Sequence, residues 1–204
     1  YWGVPNKSLE SHRSTIGNYI IQYLQESQRV KDCFINKYIY SDKPWKQLTA
    51  LMLYRKLLCA NDNPTTIVSP TFNAELTPYL LTYLDINSPI HSAETFVGPK
   101  SESINFASSM HFEALWILTN IIAEGGKPID IILNHNGVAL IRDLFIYSEK
   151  PSIHEQAIWA LSNLAGESVI ARKKVIESDC VMALYTFMQS TFGTLSPDMK
   201  RIIS

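Results

Sequence analysis

Glu155–Ser168, EQAIWALSNLAGES, and the earlier stretch Phe112–Gly125, FEALWILTNIIAEG, decide the fold between them. They read as two copies of one helical segment. Trp116 and Trp159 lie 43 residues apart, and so do Asn120 and Asn163. Between the copies runs PIDIILNHNGVALIRDLFIYS, and after the second runs SVIARKKVIESDCVMALYTFMQS. Each of these holds a short helix, a corner and a longer helix. A period in the range of ~20–50 residues marks an architecture in which units bury their apolar faces only by stacking. The unit here is three helices in about 43 residues.

Local chemistry supports each boundary. Asn136-Gly137 and Asp179-Cys180 mark the corners between first and second helices, where Asn, Asp and Gly accept the required backbone turn. Pro128 and Pro151 fall at helix starts, where a missing N–H costs nothing. Val138, Ile141, Leu144 and Phe145 recur at three and four, the helical spacing, and no segment sustains strand alternation. Upstream, Lys46–Cys59 (KQLTALMLYRKLLC) takes the place of a long third helix. Matching Arg55 to Trp116 gives a spacing of 61, which is 18 more than the period. The surplus is Ile86–Ser103, whose Pro, Ser and Gly content marks a polar surface insertion.

The expected organisation is therefore an irregular segment at 1–15, then repeats over 16–204. These comprise a degenerate repeat at 16–60, a second at 64–123 with the insertion at 86–103, a third at 128–166, and an incomplete fourth at 168–204. A third helix should begin near Pro197, and the next tryptophan of the series falls just past Ser204. With Tyr1 in first place, the chain reads as a fragment.

Composition narrows the classes of function. Hydrophobic residues make up 46% and charged ones 18% of the 204 residues, as in an ordinary globular chain. A net charge of −1 argues against a general nucleic-acid binder. Cys33, Cys59 and Cys180 are odd in number, far apart and set in apolar helical surroundings. They are expected as reduced, buried thiols of a cytosolic or nuclear protein. No apolar run approaches the ~18 residues of a membrane span. The histidines lack ligand spacing, no Cys-x-x-Cys occurs, and no nucleophile elbow, phosphate loop or dinucleotide fingerprint appears. Neither an enzyme nor a cofactor or metal is expected. The cluster Arg172, Lys173, Lys174 reads as the solvated face of a first helix.

The Trp–Asn pairs are the candidate site. Residues four apart project from one helix face, so stacked third helices would align two indoles and two amides in parallel rows. Neighbouring indoles make a slot for an aliphatic stem, and an indole face attracts a cationic head. An asparagine amide offers both donors and an acceptor, enough to grip the N–H and C=O of a peptide bond. Asparagine within a helix is intrinsically unfavourable, so two at matched places want a reason beyond packing. Glu167, four residues after Asn163, supplies a carboxylate for a cationic ligand, with Glu113, Glu124 and Glu155 as further candidates. Gly166, and Gly125 or Gly126, would let a ligand backbone approach closely.

EQAIWALSNLAGES, with FEALWILTN one repeat earlier, resembles the third helices of armadillo repeats in importin-alpha, the nuclear import adaptor. QLTALMLYRKLLCANDNPTTI is similar to that family's first repeat, where arginine likewise replaces the ladder tryptophan. The resemblance runs from about Val30 to Gln189. It implies a right-handed superhelical all-α solenoid, with about three to four repeats in this chain. It further implies that Trp116 and Trp159 wall the slots, Asn120 and Asn163 clamp the ligand backbone, and Gln156 adds a peptide contact. Glu167 stands where the family has an aspartate that receives a lysine. The implied ligand is an extended basic nuclear localisation signal on the concave face, with importin-beta as a further partner through a segment not identified in this sequence. Localisation would be cytoplasm and nucleus, with neither nucleic acid nor membrane as partner. The chain departs from the family in the longer acid at 167, in Arg55 and Cys59 at the first ladder positions, in the 86–103 insertion, and in lacking a basic run within residues 1–40. The competing expectation is an armadillo scaffold in an adhesion, signalling or cytoskeletal assembly, without localisation-signal binding.

Overall fold

The computed structural model describes residues 35–59, 70–88, 96–97, 103–104 and 106–191. The segment at 1–15, the helices expected from residue 16 to 34, Cys33, most of the 86–103 insertion and the helix expected from Pro197 lie outside the described residues. The chain divides into two compact units, Tyr1–Val68 and Ser69–Ser204.

In the first unit, a helical stretch at 35–39 precedes α1, Pro44–Cys59. The helix starts two residues before Lys46 because Pro44 suits a first turn, where its missing N–H is not needed. Gln47 donates to the Ser41 carbonyl at 2.7 Å and ties the entry loop to the helix. Leu51, Tyr54 and Leu58 bury its inner face. Arg55 stays half-buried. Cys59 is exposed, contrary to the expectation of a buried thiol. It is the last residue of α1, where the buried stripe has already ended at Leu58.

The second unit contains α2 (Pro70–Thr82), α3 (Phe106–Glu124), α4 (Lys127–Asn134), α5 (Gly137–Tyr147), α6 (Pro151–Glu167), α7 (Val169–Glu177) and α8 (Cys180–Thr191). The insertion contributes β1 (Phe96–Val97) and β2 (Ser103–Ile104), paired antiparallel with Phe96 opposite Ile104. The short–corner–long order recurs as α4–α5–α6 and again as α7–α8. Both corners are left-handed at a residue that tolerates it: Asn136 at φ 61° and Asp179 at φ 57°. Gly137 follows the first corner because a Cβ there would lie 2.6 Å from Ile132 Cγ2 and 2.8 Å from the Ile132 carbonyl oxygen. Ser168 caps α7 by accepting the Ala171 N–H at 3.0 Å.

Stacking closes the core. Along α3, Met110, Ala114, Ile117, Leu118 and Ile121 recur at three and four and are sealed from solvent. Along α6, Ile153, Ala157, Ala160, Leu161 and Leu164 do the same. The third helices α3 and α6 pack against each other more extensively than any other pair of described elements. α5 and α7 pack on α6, and α4 packs on α2. A buried apolar stripe on each long helix leaves its opposite stripe toward solvent, and that stripe carries the candidate site.

Candidate functional site

On α3 the residues four apart that avoid the buried stripe are Phe112, Trp116, Asn120 and Glu124. On α6 they are Glu155, Trp159, Asn163 and Glu167. In both rows the indole and the amide are half-buried, and Glu124 and Glu167 at the helix ends are exposed. The indoles therefore sit at the surface and are not sealed between helix layers. Phe112 meets Trp116 edge-to-face, with centroids 5.3 Å apart and an interplanar angle of 85°. That contact fixes the ring at the head of the first row. The matching place in the second row holds Glu155, so the two rows begin differently.

The two amides are held by different bonds. Asn120 Nδ2 donates to the Trp116 carbonyl oxygen of its own helix at 2.9 Å. Asn163 Nδ2 crosses to α3 and donates to the Thr119 carbonyl oxygen at 3.4 Å. Among the described residues each amide makes that one bond, which leaves its second N–H and its Oδ1 for a ligand. Thr119, which composition and spacing did not single out, links the rows. Its Oγ1 donates to the Leu115 carbonyl at 2.8 Å and reaches the Gln156 carbonyl on α6 at 3.5 Å. That role depends on the neighbouring helix, so no pattern within α3 alone announces it.

Gln156 lies half-buried on α6, and its Oε1 is buried without a hydrogen-bond partner among the described residues. A buried acceptor without a partner costs about 1–3 kcal/mol. Glu113, the position one repeat earlier, was a candidate carboxylate for the groove. It is only 2% exposed, so it does not share the half-exposed stripe of Trp116 and Asn120. The position falls on the flank of α3 that joins the buried stripe.

The remaining acids differ in environment. Glu124 accepts a hydrogen bond from Asn73 Nδ2 on α2 at 3.2 Å. Desolvation pushes its carboxyl above the ordinary carboxylate value, against the lowering effect of the Asn73 bond. Glu167 is exposed and leans on the end of α3: its Oε1 lies 3.1 Å from where a Cβ on Gly125 would stand. Gly125 has φ +76°, and its N–H is shared between the Ile121 and Ile122 carbonyls. The Glu167 carboxylate thus sits where α3 and α6 both present their negative helix ends. Gly166 has open space around its missing side chain. Arg55 and Cys59 belong to the first unit, and no rung with an indole and amide occurs on α1.

The comparisons with known proteins agree with this architecture. The family model described as Armadillo/beta-catenin-like repeat matches residues 127–166, which span α4, α5 and α6. Importin subunit alpha-8 of Arabidopsis thaliana is 30% identical over 78% of this chain and 30% of its own length. Importin subunit alpha-6 of the same plant is 28% identical over 68% of this chain and 22% of its own length. The chain thus spans between a fifth and a third of those relatives. Among solved structures, a designed armadillo repeat protein in complex with the peptide (KR)4 superimposes with a TM-score of 0.62. It shares 13% identity, over 97% of this chain and 75% of its own. The chain carries an armadillo repeat at residues 127–166, is built on the all-α armadillo solenoid, and is similar to importin-alpha subunits over most of its length.

Proposed function

We propose that α3 and α6 present a groove for an extended basic peptide segment of a partner protein, and that the chain serves as part of a nuclear import adaptor. The observation that carries this reading is the state of the ladder. Trp116 and Trp159 stand half-open on adjacent third helices, and Asn120 and Asn163 are each anchored by one N–H. The anchoring orders the amides before a ligand arrives, which lowers the entropy lost on binding. In this reading the second N–H and the Oδ1, which make no bond among the described residues, pair with a peptide unit. Gln156 Oε1 is an acceptor in need of a donor. Glu167, at the negative ends of two helices, suits an ammonium or guanidinium group. The relatives named importin subunit alpha and the designed armadillo protein holding a (KR)4 peptide support the same ligand class. Cargo carrying localisation signals, importin-beta as a partner and residence in both cytoplasm and nucleus belong to this reading.

A fluorescently labelled lysine-rich peptide, titrated against the chain, tests it. Trp159→Ala should weaken binding by about 1–3 kcal/mol, as for one interface anchor. Affinity indifferent to that substitution would remove the groove from consideration. The second reading, a scaffold without localisation-signal binding, is favoured by the 86–103 insertion with its paired strands β1 and β2. Co-purification separates the two: importin-beta with varied cargo for the adaptor, one constant assembly for the scaffold.

A further inference from the structure

α7 has an outer face that the ladder does not use. Ala171 and Val175 turn inward and are buried. Val169, Arg172, Lys173 and Ile176 follow one another at i, i+3, i+4 and i+7, so they lie on one stripe pointing away from the core. All four are exposed: Val169 by 75%, Ile176 by 58%, the Lys173 side chain by 72%, and Arg172 likewise. Ile170 beside them is 70% exposed.

Repeat register separates this stripe from a surface that merely awaits the next unit. Val181 on α8 is exposed, yet its counterpart Val138 on α5 is buried, so Val181 marks a stacking position. Val169, Ile170 and Lys173 correspond to Gly126, Lys127 and Asp130, which are exposed although they lie inside the array, whereas Ile176 corresponds to the half-buried Leu133. Arg172 stands where α4 has the buried Ile129, so packing has given way to charge at that place. Burying a guanidinium without a partner is costly, and no stacking helix of apolar character would cover it.

The charge on the stripe is only partly compensated. Arg172 and Lys174 make no ion pair among the described residues, and Lys173 meets only Glu177, at 3.6 Å and with both side chains well exposed. Two cations lie in the middle of the stripe, flanked by aliphatic side chains. A helix resting on a lipid surface keeps its cations on the polar side of an apolar stripe. Cations in the centre instead suit a partner that sets carboxylates opposite them. We propose that the α7 stripe is a docking surface for an acidic amphipathic helix of a partner protein, its aliphatic residues meeting Val169 and Ile176 and its carboxylates meeting Arg172 and Lys173. This surface acts independently of the ladder.

The probe is a fluorescein-labelled helical peptide of Leu and Glu at matching spacing, read by anisotropy against the full chain. Binding should weaken as salt rises. The double substitution R172E/K173E and the double substitution V169S/I176S should each weaken it about tenfold, while Trp159→Ala leaves it unchanged. All four altered positions are exposed, and an unchanged circular-dichroism melt confirms the fold. Absence of binding, or binding indifferent to both double substitutions, overturns the proposal. So does the opposite selectivity, in which phosphatidylserine vesicles bind through these residues and the acidic peptide does not.

Discussion

The Glu167 carboxylate rests against the backbone of Gly125, so that any Cβ at residue 125 would stand 3.1 Å from Oε1. Two costs meet in Gly125→Ala. The residue sits at φ +76°, where a Cβ costs about 1–2 kcal/mol. The contact itself is with the end of a flexible side chain, which can swing away. Urea denaturation should show a loss of about 1–2 kcal/mol, and displacement of Glu167 should weaken a lysine-rich peptide further. A stability loss with peptide affinity unchanged would separate Glu167 from the groove.

Gly137→Ala fails for a different reason. A Cβ would lie 2.6 Å from Ile132 Cγ2, 2.8 Å from the Ile132 carbonyl oxygen and 3.1 Å from Leu81 Cδ2. Backbone and packed side chains cannot yield as a carboxylate can. Overpacking of this kind costs about 1–3 kcal/mol. The denaturant midpoint should fall, with no change specific to peptide binding once folded protein is compared.

Gly166→Ala provides the contrast. Nothing lies within 4 Å of the added methyl group, and the residue is inside α6. Alanine should stabilise the chain by up to about 0.5 kcal/mol, less than in a helix interior, because Gly166 lies in the last turn of α6. If a ligand backbone crosses α6 at this point, the same substitution should weaken peptide binding. Stabilisation and loss of affinity together would be a signature that a folding defect cannot produce.

The two described cysteines should differ in reactivity. Cys180 is fully buried, and desolvation pushes its thiol from 9.0 up to about 11, partly opposed by the Arg142 charge. Cys59 is exposed. Iodoacetamide at pH 8, followed by peptide mapping, should label Cys59 and leave Cys180 unmodified until the chain unfolds. Because the folded thiol holds its proton more tightly than the unfolded one, its contribution is complete below about pH 8.5. It is lost as pH rises from there towards 11, so stability should fall across that window. A melt insensitive to pH there would refute the assignment.

Much of this was legible in the residues alone. The 43-residue return of tryptophan and asparagine placed α3 and α6, and the corners at Asn136 and Asp179 appear where Asn and Asp accept a left-handed backbone. Proline marked the starts of α4 and α6. A repeat period states which residues share a helix face, since side-chain direction follows from 3.6 residues per turn. It does not state how far one helix slides along its neighbour. That slide decides that Asn163 reaches the Thr119 carbonyl of α3 while Asn120 turns to its own helix. It also leaves Gln156 Oε1 without a partner and seals Glu113, the same position one repeat earlier. Cys59 escaped burial for a comparable reason, because a helix end is apolar in sequence yet open in space. The sequence by itself determined the helices, their faces and the spacing of the ladder. The bonds that hold the ladder, and the exposed stripe of α7, were decided by tertiary packing, because hydrogen bonds depend on distances of tenths of an ångström between segments far apart in the chain.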